Sequence, residues 1–117
     1  PWEGMAGYCR AVRKGNTIHV SGTTSTHGDK MIGGEDAEAQ AHFVLDKIEA
    51  AVTSLGGRLE DIVRTRIFVN NINDWEPVAR AHGKRFGSIQ PANTLVEARL
   101  VGEGYKVEIE AEAVVEG

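Results

Sequence analysis

Three segments of the 117-residue chain alternate apolar and polar residues with a period of two, which is typical of a strand with one buried face. The clearest is Tyr105–Val115, where odd-numbered residues are apolar and even-numbered residues are mostly charged. Ile62–Val69 alternates in the same way and places its odd-numbered residues, beginning with Val63, on one face. Thr94–Leu100 is the third, with its even-numbered residues from Val96 onward opposite the odd-numbered ones.

Two shorter strands are predicted near the start of the chain. Tyr8–Arg13 and Thr17–Gly22 flank Lys14-Gly15-Asn16, which predicts a short hairpin turn. A further short strand is expected near Lys30–Ile32. These segments bring the predicted number of strands to five or six.

Two helices are predicted from apolar residues that recur at three and four positions. The first runs from Asp36 to Leu55 and ends at the glycine pair 56–57, because glycine adopts the left-handed conformation readily. The second runs from about Asp74, a candidate N-cap, to Phe86, with Pro77 in its first turn. Its apolar face combines Trp75, Val78, His82 and Phe86.

The order of these elements predicts an α+β fold in a single domain over residues 1–117, with a mixed five- or six-stranded sheet and two helices packed on one face. The other face of the sheet is expected to carry charged and aromatic side chains, namely Arg64, Arg66, Phe68, Glu97, Arg99, Glu108 and Glu110. Rows of arginine and glutamate can pair across an interface, so this face favours an oligomer.

Composition narrows the classes of function. The chain is 41% apolar and 26% charged, which is ordinary for a globular protein. Its net charge is −4 and it has no run of Lys or Arg, which argues against a nucleic-acid surface. No apolar run approaches the ~20 residues of a membrane span, and no signal peptide is evident, so we expect a cytoplasmic protein with no membrane partner.

Several reactive residue types have ordinary structural explanations. The amine of Pro1 would be a nucleophile in a tautomerase-like fold, but the length and strand order differ from that fold. Cys9 is the single cysteine, which excludes an internal disulfide, and it is expected to be a buried thiol. The histidine spacing predicts no metal site, and His82 on an apolar helix face is typical of a packed residue. Gly22-Thr23-Thr24 lacks a phosphate-binding lysine, and the alternating glutamates of Glu108–Glu112 are by themselves typical of a solvated face.

Six segments, taken in order, resemble the Rid family, also called the YjgF or reactive-intermediate deaminase family and formerly endoribonuclease L-PSP. They are GYCRAV at 7–12, IHVSGT at 18–23, GGRLEDIVRT at 56–65, FVNNINDW at 68–75, PANTLVE at 91–97 and VEIEA at 107–111. The resemblance covers nearly the whole chain, although each piece alone is a weak signal.

The resemblance implies a chorismate-mutase-like α+β fold and a homotrimer with three clefts between subunits. In better-known members, the cleft binds small 2-imino or 2-enamino acids that are released by pyridoxal-phosphate enzymes. Those members speed the hydrolysis of these acids to 2-keto acids and ammonia without a metal or an organic cofactor. The resemblance therefore implies a small-molecule ligand and no nucleic acid.

It also implies roles for individual residues. Tyr8 matches the family's cleft tyrosine, and Gly22 and Thr23 match the segment that offers backbone groups to the ligand. Glu108 matches the glutamate thought to hold the attacking water. Asn93 departs from the pattern, because the family's deaminases have an arginine there that clamps the substrate carboxylate. Losing such a charge-assisted contact costs about 1.5–3 kcal/mol, or ten- to a hundredfold in affinity.

Other positions depart as well. Ala79 stands where members often have Asn, and His82 stands where they often have Tyr. Together with the Arg-Thr-Arg run of 64–66 and the Ala-His-Gly run of 81–83, this suggests an arginine-lacking subgroup. In such a subgroup the inferred fold stands, while typical 2-imino acid deamination is placed in doubt.

Three hypotheses for function follow. The first is a Rid-type hydrolase or deaminase acting on a small imine, enamine or carbonyl metabolite. In it, Asn93 would bind substrate by hydrogen-bonding a carbonyl or carboxylate, and Arg66 or Arg10 would supply the missing positive charge. Pairing of Arg66 with glutamates is the structural alternative. The second is a metabolite-binding or regulatory trimer without turnover, which the loss of the clamp favours. The third, the family's historical nuclease activity, is disfavoured by the net charge of −4.

Overall fold

A five-stranded mixed sheet forms the centre of the fold in a computed structural model that describes residues 2–116. Pro1 lies outside the described residues, and so does the expectation for its amine. The strands are β1 (Ala11–Lys14), β2 (Thr17–Thr23), β3 (Thr26–His27), β4 (Lys30–Met31), β5 (Ile62–Val69), β6 (Ala92–Glu97) and β7 (Val107–Val114). The helices are α1 (Trp2–Ala6), α2 (Ala37–Ser54) and α3 (Trp75–Phe86).

The order of strands in the sheet is β1-β2-β7-β5-β6. β5 and β6 are parallel, and all other neighbours are antiparallel. β3 and β4 form a separate two-stranded ribbon. The α+β fold with a mixed sheet is therefore confirmed, and the large sheet has five strands.

The long helices α2 and α3 pack against each other and cover one face of the sheet. α2 begins at the predicted cap, where the Asp36 carboxylate accepts a hydrogen bond from the Ala39 N–H at 3.1 Å. It ends before Gly56, whose φ of +91° is readily available only to glycine. The buried stripe of this helix contains Ala41, Val44, Ile48 and Val52, as its spacing predicts.

Three expectations about the burial of individual residues are wrong. Alternation places Val63 on the buried face, but it is 48% exposed and Ile62 is buried. The pairing register of β5 with β7 shifts between residues 62 and 64, and this irregularity reverses the alternation at the strand's start. Trp75 is 52% exposed, although its spacing places it on the apolar face of its helix. Cys9 is exposed rather than buried.

The third alternating segment also differs from its prediction. β6 covers Ala92–Glu97 rather than Thr94–Leu100, and Arg99 lies beyond its end. Parallel pairing sets Glu97 beside the buried Val69, so Glu97 lies on the helix side of the sheet and not on the outer face. β6 has a single neighbouring strand, and an edge strand exposed on both sides carries a weak polarity signal.

The five-residue helix α1 is absent from the predicted elements, and β1 begins at Ala11 rather than at Tyr8. Within residues 2–116, no helix is both long and apolar enough to cross a bilayer. The outer face of the sheet carries Arg64, Arg66, Phe68 and the glutamates of β7, all partly exposed. This charged face lies opposite the helices, as the alternation predicts.

Candidate functional site

A cavity of about 470 Å³ opens beside the ends of β2 and β7. Its walls come from α1, the segment before β1, the end of β2 and the loop after it, the β3–β4 ribbon, α2, the loop between β6 and β7, and β7 itself. It is lined by Trp2, Glu3, Tyr8, Arg10, Gly22, Thr24, Thr26, Gly28, Lys47, Val101 and Glu108. Two cationic and two acidic side chains therefore face one small space, together with apolar surface from Trp2 and Val101.

The carboxylate of Glu108 lies directly over the α-carbon of Gly22. A β-carbon at Gly22 would overlap Oε2 of Glu108 and lie 3.0 Å from its Cδ, so glycine is needed to keep the carboxylate in this place. Burial raises the pKa of the Glu108 carboxyl, the negative charge of Glu110 raises it further, and the positive charge of Arg10 partly offsets both. A raised pKa makes this carboxylate a stronger proton acceptor than an ordinary glutamate.

Arg10 connects the end of β2 to α1 at the cavity wall. Its Nη1 donates to the carbonyl oxygen of Gly22 at 3.1 Å and to the hydroxyl of Thr23 at 2.8 Å. Its Nη2 lies 3.3 Å from the carboxylate of Glu3. Thr23 is fully buried and does not line the cavity. Its hydroxyl instead helps to hold the Arg10 guanidinium in place at the cavity wall.

Lys47 closes the cavity from the side of α2. Its Nζ donates to the carbonyl oxygens of Thr24 at 3.1 Å and Thr26 at 2.8 Å. Burial lowers the pKa of Lys47, the positive charge of Arg10 lowers it further, and Glu3 opposes the shift. No sequence motif marks Lys47 as a site residue, because its partners are loop carbonyls that only the folded chain brings to it.

Arg66 faces a second cavity, of about 390 Å³, on the outer face of the sheet. There Nη1 lies 3.4 Å from a carboxylate oxygen of Glu110 and 3.6 Å from one of Glu112. Tyr8 lines both cavities and is 40% exposed. Within one chain, Arg66 therefore lies beside Glu110 and Glu112 and does not share the cavity of Glu108.

Asn93 lines neither cavity. It lies on the helix side of β6, where its Nδ2 donates to the hydroxyl of the buried Thr65 at 3.0 Å. The same hydroxyl lies 2.8 Å from Nε2 of His82, and the His82 ring packs against Phe86 with centroids 4.6 Å apart. Burial lowers the pKa of His82, which favours the neutral ring.

The family model described as endoribonuclease L-PSP matches residues 2–115, nearly the whole chain. The chain belongs to the Rid family. The curated Escherichia coli protein named 2-iminobutanoate/2-iminopropanoate deaminase is 34% identical to it over 110 residues, which cover 92% of this chain and 86% of that protein.

Solved Rid structures share the fold. A Mycobacterium tuberculosis member of the YjgF/YER057c/UK114 family is 42% identical, with a TM-score of 0.88 over 97% of this chain and 92% of that one. The Escherichia coli YjgF gene product is 33% identical, with a TM-score of 0.84 over 93% and 88% of the two chains. The expected chorismate-mutase-like architecture is therefore the one that this Rid chain adopts.

The structure thus brings three of the six site residues expected from the sequence, Tyr8, Gly22 and Glu108, to one cavity. Thr23 lies directly behind that cavity and Arg66 lines a different one. Arg10 was expected only as an alternative source of positive charge, and it is the arginine that shares the cavity with Glu108.

Proposed function

We propose that this Rid chain binds a small imine, or an enamine that tautomerises to the imine, beside Glu108 and speeds the hydrolysis of the C=N bond to a carbonyl product. The observation that carries the proposal is the partly buried Glu108 carboxyl, held over Gly22 in a cavity that also contains Arg10. The name of the Escherichia coli relative, a 2-iminobutanoate/2-iminopropanoate deaminase, supports the same reaction type.

The proposed reaction needs one water and one proton carrier. Water adds its hydroxyl to the imine carbon while Glu108 accepts the remaining proton and passes it to the imine nitrogen, which gives a carbinolamine. Glu108 then takes the hydroxyl proton and delivers it to the amine as the C–N bond breaks and the C=O bond forms. The products are a carbonyl compound and ammonia. General acid–base help of this kind contributes about 10²–10⁴-fold to a rate.

Typical 2-imino acid deamination depends on what holds the substrate carboxylate. The family's clamp position is the neutral Asn93, whose amide nitrogen already bonds Thr65. A neutral amide cannot replace a bidentate cation. The proposal therefore leaves the substrate broader than 2-iminopropanoate and 2-iminobutanoate, and does not require Asn93 to bind the acid group.

We also propose that the active species is a homotrimer and that its clefts combine surfaces of two subunits. The exposed outer face of the sheet, with Arg66 beside Glu110 and Glu112, supports an interface there. Light scattering during gel filtration tests this, because a trimer has three times the 12.6 kDa mass of the chain. A monomer would contradict the shared cleft.

The hydrolase proposal is tested by generating the imine in place. A pyridoxal-phosphate dehydratase acting on serine supplies 2-aminoacrylate, and semicarbazide traps the imine that has not been hydrolysed. We expect the unmodified chain to lower the initial rate of semicarbazone formation and to raise keto-acid release. Glu108→Gln should lose about a hundredfold or more of this effect. Glu60→Gln, which removes the same charge from an exposed position that lines neither cavity, is the matched control.

Asn93→Arg separates the remaining possibilities. Activity gained only in this variant would mean that the chain has a working Glu108 but a cavity suited to another substrate. Saturable thermal stabilisation by keto acids without turnover in either protein would favour the second candidate, a metabolite-binding protein, for which the neutral Asn93 is the supporting observation. RNA cleavage that copurifies with the protein and disappears in Glu108→Gln would favour a nuclease, although the net charge of −4 argues against RNA binding.

A further inference from the structure

Lys47 is a cation in the cavity to which the proposed hydrolysis gives no role. Its Nζ is held by two neutral carbonyl oxygens, at 3.1 and 2.8 Å, and no ion pair joins it to a carboxylate of residues 2–116. An ammonium group has three N–H donors. The third donor therefore remains for a ligand.

Arg10 brings a second positive group to the same cavity, and the two cations oppose each other. Burial lowers the pKa of Lys47 below its ordinary value of 10.5, and the charge of Arg10 adds to that effect. Nη1 of Arg10 is occupied by Gly22 and Thr23, which fixes the guanidinium in place. An anion placed between two partly desolvated cations stabilises both of them, and such arrangements are typical of ligand sites.

The carboxylates of the cavity are placed unequally around its two cations. Glu3 pairs with Nη2 of Arg10 at 3.3 Å, whereas no carboxylate of residues 2–116 lies within ion-pair distance of the Lys47 ammonium. One carboxylate of a ligand beside Lys47 would supply that partner.

We infer that Lys47 and Arg10 form an anion subsite that holds the carboxylate of a 2-oxo or 2-imino acid, with the reacting carbon against Glu108. The inference rests on the proposed function and deepens it, because it assigns the acid group to residues other than Asn93. Asn93 is neutral, and within one chain it lies outside this cavity.

The test compares two probes of similar shape, 2-oxobutanoate and the uncharged 2-oxobutanamide, by titration at neutral pH. We expect the unmodified chain to bind the acid at least tenfold more tightly than the amide. Lys47→Met should weaken acid binding about ten- to a hundredfold and leave amide binding unchanged. Lys47→Arg keeps the charge and should retain most of the preference. Lys14→Met is the matched control, since it removes a lysine from the β1–β2 hairpin, outside the cavity.

Full preference for the acid in a folded Lys47→Met protein would overturn the subsite. For the unmodified chain, equal binding of the acid and the amide would overturn it, and so would the absence of saturable binding of the acid. Failure of the hydrolase is recognised separately. A Lys47-dependent preference without imine turnover would leave the subsite standing, whereas turnover with no dependence on Lys47 would leave the hydrolase standing and remove the subsite.

Discussion

A methyl group at Gly22 is expected to separate catalysis from folding. In Gly22→Ala the new β-carbon would occupy the position of the Glu108 carboxylate, while the backbone of residue 22 has no positive φ that would exclude alanine. The obstructing atoms are the end of a flexible side chain. The carboxylate therefore moves aside and the sheet keeps its geometry.

The expected magnitudes follow from this geometry. Alanine restricts the unfolded chain and gains about 0.4–1 kcal/mol of stability. A strained Glu108 rotamer costs about 0.5–1.5 kcal/mol. The two effects nearly cancel, so the melting temperature should change by less than about 5 °C. Catalysis has no such compensation, because a catalytic group displaced by about 1 Å can cost about a hundredfold in rate.

Imine hydrolysis and thermal unfolding are measured on the same preparations. Gly83→Ala is the matched control, because Gly83 lies within α3 with no positive φ, and a β-carbon added there would meet no atom within 4 Å. That variant should gain about 0.5–1 kcal/mol of stability and keep full activity. Unchanged activity in Gly22→Ala would refute the importance of the Glu108 position. A fall in melting temperature well beyond about 5 °C would refute the idea that the side chain absorbs the clash.

Three further predictions concern stability, each measured by urea unfolding. Glu108→Gln should be more stable than the unmodified chain at pH 7, because burial raises the pKa of Glu108 and the folded state therefore disfavours its charge. This gain in stability should fade as the pH falls to 4.5 and below. A constant gain at all pH values would contradict the prediction. Burial lowers the pKa of His82 from 6.5, so the contribution of the neutral ring to stability is complete above pH 6.5 and is lost as the pH falls below that value. Between pH 7.5 and 5.5, the free energy of unfolding of His82→Gln should therefore fall less than that of the unmodified chain. An equal fall in both proteins would refute this. Gln40→Leu should lower the free energy of unfolding by about 2–3 kcal/mol. The buried Gln40 side chain accepts a hydrogen bond from the Lys106 N–H at 2.9 Å and donates to two glycine carbonyl oxygens, and leucine makes none of these bonds. A change near zero would mean that water replaces them.

Sequence patterns predicted those parts of the fold in which one face is fully buried. β7 and α2 have buried residues at the expected spacing, and their bounds differ from the prediction by at most two residues. The prediction failed where pairing decides the face. The register shift at Ile62 and the single neighbour of β6 depend on which strand lies alongside, and neither is encoded in local alternation.

The candidate site was predictable to a smaller extent. Glu108 and Gly22 were identified through the family resemblance, and the contact between them required the pairing of β2 with β7. Lys47 lies at the edge of the buried stripe of α2, a position where a long cation is ordinary. Its role in the cavity depends on the loop carbonyls of Thr24 and Thr26, which no periodicity reveals.

We propose that the positive charge which the family resemblance implies at position 93 is supplied in this chain by Arg10 and Lys47. The Nδ2 of Asn93 is engaged by Thr65, and its Oδ1 can only accept hydrogen bonds, so this side chain offers little to a carboxylate. Thr65 bonds His82 in turn, which fixes Asn93 to the packing of β5 against α3. Two cations, Arg10 and Lys47, stand instead in the cavity of Glu108. A chain that still needed to bind an acid beside Glu108 would require positive charge there, which is why Lys47 and not Asn93 should decide whether the ligand is an acid.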